Sequence, residues 1–118
     1  MNIIWMLNLN LKNKNMVLVL NKDNFESTIS TWVTLVDFWA EWCGPCQIML
    51  PILDDFAASQ WDTMKVWKVN VDESPELAHM FRVMSIPTLI VFKDGQAVET
   101  MVWVKQKAEL EEVIAKYL

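Results

Sequence analysis

Two cysteines three residues apart, at the seam between a β-type run and a helix-type pattern, constrain this 118-residue chain more than any other feature. Upstream, Val33-Thr34-Leu35-Val36-Asp37-Phe38-Trp39 is β-branched and aromatic, and long enough for a buried strand. Downstream, Met49, Ile52, Leu53, Phe56 and Ala57 recur at helical spacing, with Pro51 predicting a kink. Cys43 therefore falls where a strand gives way to a helix. There, unpaired backbone N–H groups and the positive end of the helix dipole favour an anion, so the thiol ionises more readily and becomes a better nucleophile. Cys46 lies in the first helical turn, where side chains three apart are neighbours, a spacing that suits a disulfide. Pro45 lacks an N–H, which costs nothing in a first turn, and it stiffens the link between the two sulfurs.

A bond across so small a loop would stabilise the fold little, so the pair calls for a chemical role. Cys43 would attack a substrate disulfide, and Cys46, less exposed and initially protonated, would then attack Cys43 and release the substrate as a dithiol. The competing reading of Cys-x-x-Cys, half of a zinc site, needs two further Cys or His ligands, and His79 is the one other candidate in the chain. No metal and no bound cofactor is therefore expected beyond the redox-active Cys43–Cys46 disulfide, and His79 is assigned no role.

The Cys46 proton needs an acceptor. Asp37 sits inside an otherwise apolar strand, where a carboxylate is expensive and burial raises its pKa, which makes it a plausible proton acceptor. Lys68, in the next strand, is placed to pair with it. The alternative is that Asp37 lies near a strand end and is solvated.

The remaining pattern supplies the rest of a fold. Val17 to Leu20 reads as a short strand and Asn21 to Ser30 as a short helix. Met64 to Val71 alternates as a strand does, and Ser74-Pro75 opens a helix with Ser74 at the N-cap. Thr88 to Phe92 is a strand joined through the Asp-Gly turn of Lys93-Asp94-Gly95-Gln96 to an antiparallel partner, Ala97 to Val104. Lys107 to Leu118 is an amphipathic helix. The order β-α-β-α-β-α-β-β-α implies parallel early strands joined by helical crossovers, then an antiparallel edge, in one mixed α/β sheet with helices on both faces.

Composition narrows the function classes. The chain is 53% hydrophobic, enough for a sizeable core, and its net charge of -5 comes without a Lys/Arg cluster, which argues against nucleic acid as a partner. The apolar stretch Ile3-Ile4-Trp5-Met6-Leu7 lacks the basic flank, length and cleavage site of a secretory signal and is too short to span a bilayer. No membrane association is expected. Residues 1–15 read as an N-terminal extension, or Met16 is the true start, with a single domain over 16–118.

The segment Asp37-Phe38-Trp39-Ala40-Glu41-Trp42-Cys43-Gly44-Pro45-Cys46, followed by Ser85-Ile86-Pro87-Thr88, resembles the two signatures of the thioredoxin family, and the likeness covers Met16 to Leu118 in order. The resemblance implies the thioredoxin fold and a cis Ile86–Pro87 bond that frees neighbouring backbone groups for an extended substrate. It also implies that Trp42 flanks Cys43 on the docking face and that Gly44-Pro45 between the cysteines goes with the reducing members. The expected activity is that of a cytoplasmic protein-disulfide reductase, an electron carrier working as a monomer. Its expected partners are a thioredoxin reductase, either NADPH- and flavin-dependent or ferredoxin-linked, and disulfide-containing proteins such as ribonucleotide reductase, peroxiredoxin and methionine sulfoxide reductase. Two other readings remain: a disulfide isomerase or exported oxidase, and a non-catalytic subunit that holds a partner on the Trp42/Pro87 face.

The chain departs from that pattern in one respect. It has 2 Gly, against about eight at average usage, and 7 Trp. Trp103 stands where the resemblance places a glycine beside the cis-Pro loop, so an indole there would overhang the Cys43 groove and narrow substrate choice. Trp61 follows the active-site helix, where a left-handed glycine cap is expected, and should cost about 1 kcal/mol. Trp32 precedes a strand and Trp67 lies within one. Either these indoles are genuine, or UGA codons that the source reads as Gly have been read as Trp. The 8 Met are mostly core gap-fillers.

Overall fold

The computed structural model describes residues 17–30 and 32–118, so the extension over 1–15 and the choice of Met16 as start lie outside the described residues. The elements follow the expected order: β1 (Val17–Val19), α1 (Phe25–Ile29), β2 (Val33–Trp39), α2 (Gly44–Gln60), β3 (Lys65–Asn70), α3 (Pro75–Met80), β4 (Thr88–Lys93), β5 (Gln96–Val102) and α4 (Lys107–Ala115). They form one five-stranded sheet ordered β1-β3-β2-β4-β5. β1 and β2 both run parallel to β3. β4 runs antiparallel to β2 and to β5, so the mixed character enters one strand earlier than the hairpin alone would place it.

Period-2 alternation in β2 divides the core between two faces. Val33 and Leu35 pack with Met49, Leu53 and Phe56 of α2 and with Leu110 and Ile114 of α4. Val36 and Phe38 point the other way, toward Phe25 and Ile29 of α1 and Leu77 of α3. On that second face Phe92 stacks edge-on against Phe25 and Phe81, with ring centroids 5.5 and 5.2 Å apart. The apolar stripe of α2 explains why it forms despite Pro51: burial of Met49, Leu53 and Phe56 outweighs one missing N–H, and the helix continues across Pro51 to Gln60.

Several ends differ from the sequence reading for identifiable reasons. Asn21 Oδ1 accepts the N–H groups of Asp23 and Asn24, which holds residues 21–24 in a turn and delays α1 to Phe25. Ser74 occupies the N-cap of α3 but makes no side-chain cap bond. Trp61 ends α2 in the right-handed region, at φ -57° and ψ -26°, so the expected left-handed cap, and the penalty for lacking a glycine there, do not arise. The chain leaves the helix instead through Thr63 and Met64 N–H groups on the Gln60 carbonyl, at 2.9 and 3.0 Å. The Asp94-Gly95 turn has both residues at positive φ, 51° and 86°, as a tight hairpin requires.

Because α2 carries the cysteines and is fixed to the sheet through its buried face, Phe56→Ala is expected to destabilise the fold by about 3–5 kcal/mol. Urea unfolding checks this, and a loss below about 1 kcal/mol would mean that this packing does not hold α2 in place.

Candidate active site

β2 ends at Trp39 and α2 begins at Gly44, and the short turn between them brings Cys43 to the N-cap with extended backbone (φ -87°, ψ 110°). The Cys43 N–H donates to the Ala40 carbonyl at 3.2 Å, which closes that turn. Its sulfur takes the place of a capping oxygen: Cys43 Sγ accepts the N–H of Cys46 at 3.2 Å. A donor aimed at the sulfur, together with the helix dipole, stabilises a thiolate when the pair is reduced. In the structure the two cysteines are joined as a disulfide, with Cα atoms 5.2 Å apart. Cys43 keeps 4% of its surface exposed and Cys46 none, so an incoming disulfide meets Cys43.

The second signature meets the first at this point. The Ile86–Pro87 bond is cis, and the Ile86 carbonyl oxygen lies 3.7 Å from Cys43 Sγ. Trp103 donates its backbone N–H to the Pro87 carbonyl at 2.9 Å, just beyond the last β4–β5 pair, Thr88 and Val102. Trp42 is 70% exposed beside the pair and donates its indole N–H to Asp72 Oδ2 at 2.9 Å. A groove of about 310 Å³ opens there, with Trp42, Val71, Met84 and Ile86 among its lining residues. Gly44 is not forced by space, since a Cβ built on it meets nothing within 4 Å. Asp72 escaped the sequence reading: its role depends on the β3–α3 loop folding back to the Trp42 indole, which no spacing rule encodes.

Asp37 lies below this end of the sheet, buried in the middle of β2, not solvated at a strand end. Neither carboxyl oxygen has a hydrogen-bond partner. Burial, opposed in part by the nearby Lys68 charge, leaves its pKa raised from 3.8 to about 7. Lys68 is the register partner of Asp37 across the parallel β2–β3 pair. Its ammonium sits over the Trp39 indole, 5.2 Å from the ring centroid, and not on the Asp37 carboxyl. Asp54 of α2 feels the same lysine: burial raises its pKa and Lys68 lowers it. His79 falls in the last turn of α3, and among the described residues no three His, Cys, Asp or Glu side chains gather as a metal would require.

Comparison with known proteins places this geometry. The family model described as Thioredoxin matches residues 16–116. A thioredoxin of Listeria monocytogenes is 45% identical over 103 residues, covering 87% of this chain and all of the relative. One of Staphylococcus saprophyticus is 50% identical over 95 residues, covering 80% and 91% respectively. Among solved structures, an N21Q mutant thioredoxin from Halobacterium salinarum superposes with a TM-score of 0.80 at 33% identity, covering 88% of this chain and 93% of the other.

The buried carboxyl has a consequence for stability. Because its folded pKa is about 7 and its unfolded value 3.8, the folded state binds more protons between those limits, and stability falls as pH rises through that window. Asp37→Asn should therefore stabilise the protein at pH 8 by several kcal/mol, on the order of 3, with little gain at pH 3. Urea unfolding at the two pH values checks the sign, and an equal gain at both would contradict the raised pKa.

Proposed function

The chain belongs to the thioredoxin family, its Cys43–Cys46 pair makes it a protein thiol–disulfide oxidoreductase, and on that premise we propose that it works as a dithiol reductant with Cys43 as nucleophile, Cys46 as resolving thiol and Asp37 as proton acceptor. The observation that carries this reading is the sulfur of Cys43 standing as the N-cap of α2, bonded to a Cys46 that solvent does not reach. In the first step the Cys43 thiolate attacks one sulfur of a substrate disulfide, and the other substrate sulfur leaves as a thiolate. Cys46 then gives its proton to the Asp37 carboxylate and attacks the Cys43 sulfur. The Cys43–Cys46 disulfide forms, the substrate's second thiolate departs, and both substrate sulfurs take up protons. A carboxyl that titrates near 7 can accept and return a proton at neutral pH, and Lys68 keeps a fraction of it ionised.

Trp42, Ile86 and Pro87 border the docking groove, with position 103 beside it, and Gly44-Pro45 sets the redox balance between the sulfurs. The domain spans 16–118, acts as a monomer and belongs in a reducing compartment, the cytoplasm, where a dithiol is maintained. Two electrons return through a thioredoxin reductase of the NADPH–flavin or ferredoxin-linked kind. Proteins that form a disulfide in turnover, such as ribonucleotide reductase, peroxiredoxin and methionine sulfoxide reductase, are its acceptors.

Insulin reduction with dithiothreitol as electron source tests the assignment. The wild type should turn over, Cys46→Ser should stop after one attack and accumulate a mixed disulfide through Cys43, and Cys43→Ser should form none. Asp37→Asn should slow resolution of the mixed disulfide roughly 100-fold at pH 7, the lower end of the range for losing a general base. Partner binding without turnover by the wild type would instead mark a non-catalytic binding subunit.

A further inference from the structure

Among the described residues, four that are not glycine have positive φ: Trp32 at 68°, Arg82 at 54°, Asp94 at 51° and Trp103 at 82°. The small left-handed basin open to L-residues spans roughly +50° to +70°. Arg82 and Asp94 lie near its centre, and Asp is among the residues that tolerate it. Trp32 lies at the edge and Trp103 outside, close to the 86° of Gly95. A bulky side chain in this region is strained, whereas glycine adopts it freely.

Neither indole gains burial that would offset the strain. Trp32 is 69% exposed and Trp103 54%. Both backbones are nonetheless held in place: the Trp32 carbonyl accepts the Asp94 N–H at 3.1 Å, and Trp103 is fixed to Pro87 as described above. The conformation therefore belongs to the fold at these two points, and the side chain does not choose it. Trp61 is the internal contrast, since its backbone is right-handed and asks for no glycine. The scarcity of glycine, 2 in the whole chain beside 7 Trp, runs in the same direction. Tryptophan and glycine are connected by a single codon, UGA, whose meaning differs between genetic codes.

We infer that positions 32 and 103 are glycine in the natural chain, and that tryptophan stands there because UGA codons were translated in a code other than the source's. The inference does not depend on the redox assignment. At 103 it leaves the backbone beside cis-Pro87 without a side chain, open to whatever docks next to Cys43.

Tandem mass spectra of the protein from its source cells give the direct test. The tryptic peptides Asp23–Lys65 and Asp94–Lys105 should carry glycine at 32 and 103, encoded by UGA, and tryptophan at either position would overturn the inference. A recombinant series reads the backbone claim separately. Trp32→Gly and Trp103→Gly should each raise the folded-to-unfolded ratio about threefold, the relief of strain less the added freedom of the unfolded chain. Trp61→Gly should give no rise. Failure of both variants to stabilise, or an equal gain at 61, would overturn the claim that these backbones require glycine.

Discussion

The junction between β2 and α2 is the constraint on which the rest of the molecule depends. A central strand buried on both faces delivers the chain to one end of the sheet, and a closed turn from Ala40 to Cys43 starts a helix there at once. The same backbone N–H groups that a helix leaves unpaired at its start become the environment of a sulfur. Because the cap is a cysteine, local folding and chemical activation are one arrangement: the Cys46 N–H that Cys43 Sγ satisfies is also a donor that favours the thiolate. Burial of the α2 stripe against the sheet keeps that geometry fixed, and Lys105 adds a tie by donating its N–H to Met49 Sδ at 3.2 Å.

The two cysteines differ by environment, not by type. Cys43 touches solvent and the Ile86 carbonyl, while Cys46 lies wholly inside with Ala40, Trp39 and Val71 around the pair. Of the two sulfurs, that of Cys43 is therefore the one a molecule from outside can reach. Asp37 extends this polarity into the sheet. A carboxyl with no hydrogen-bond partner, in a strand that is otherwise apolar, is a standing loss of stability above its pKa. Lys68 reduces that loss through its field without reaching contact, because its ammonium rests on the Trp39 indole. A buried carboxyl of this kind costs stability, and such perturbed groups cluster at functional sites.

Much of this was legible in the chain because the signals are local. The apolar run before Cys43, the helical spacing after it and the Asp-Gly turn each fix φ/ψ over a few residues, and all three elements form as read. The placement of Asp37 in a buried strand followed from its neighbours in sequence. What was not legible depends on contacts between distant segments. The antiparallel entry of β4 beside β2, the reach of Asp72 to Trp42, the sharing of Lys68 by Asp37 and Asp54 and the right-handed exit of α2 at Trp61 have no periodic signature.

By itself the sequence determined that a cysteine would cap a helix directly after a buried strand, since propensity, alternation and the three-residue spacing act over one or two turns of chain. Only the tertiary structure decided that the Ile86–Pro87 segment, some forty positions later, would close over that sulfur, and that the Lys68 ammonium would rest on the Trp39 indole and not on the Asp37 carboxyl. Those relations arise from how strands are ordered within the sheet, and strand order is settled by the burial of two apolar faces at once, a property of the whole chain and not of any segment.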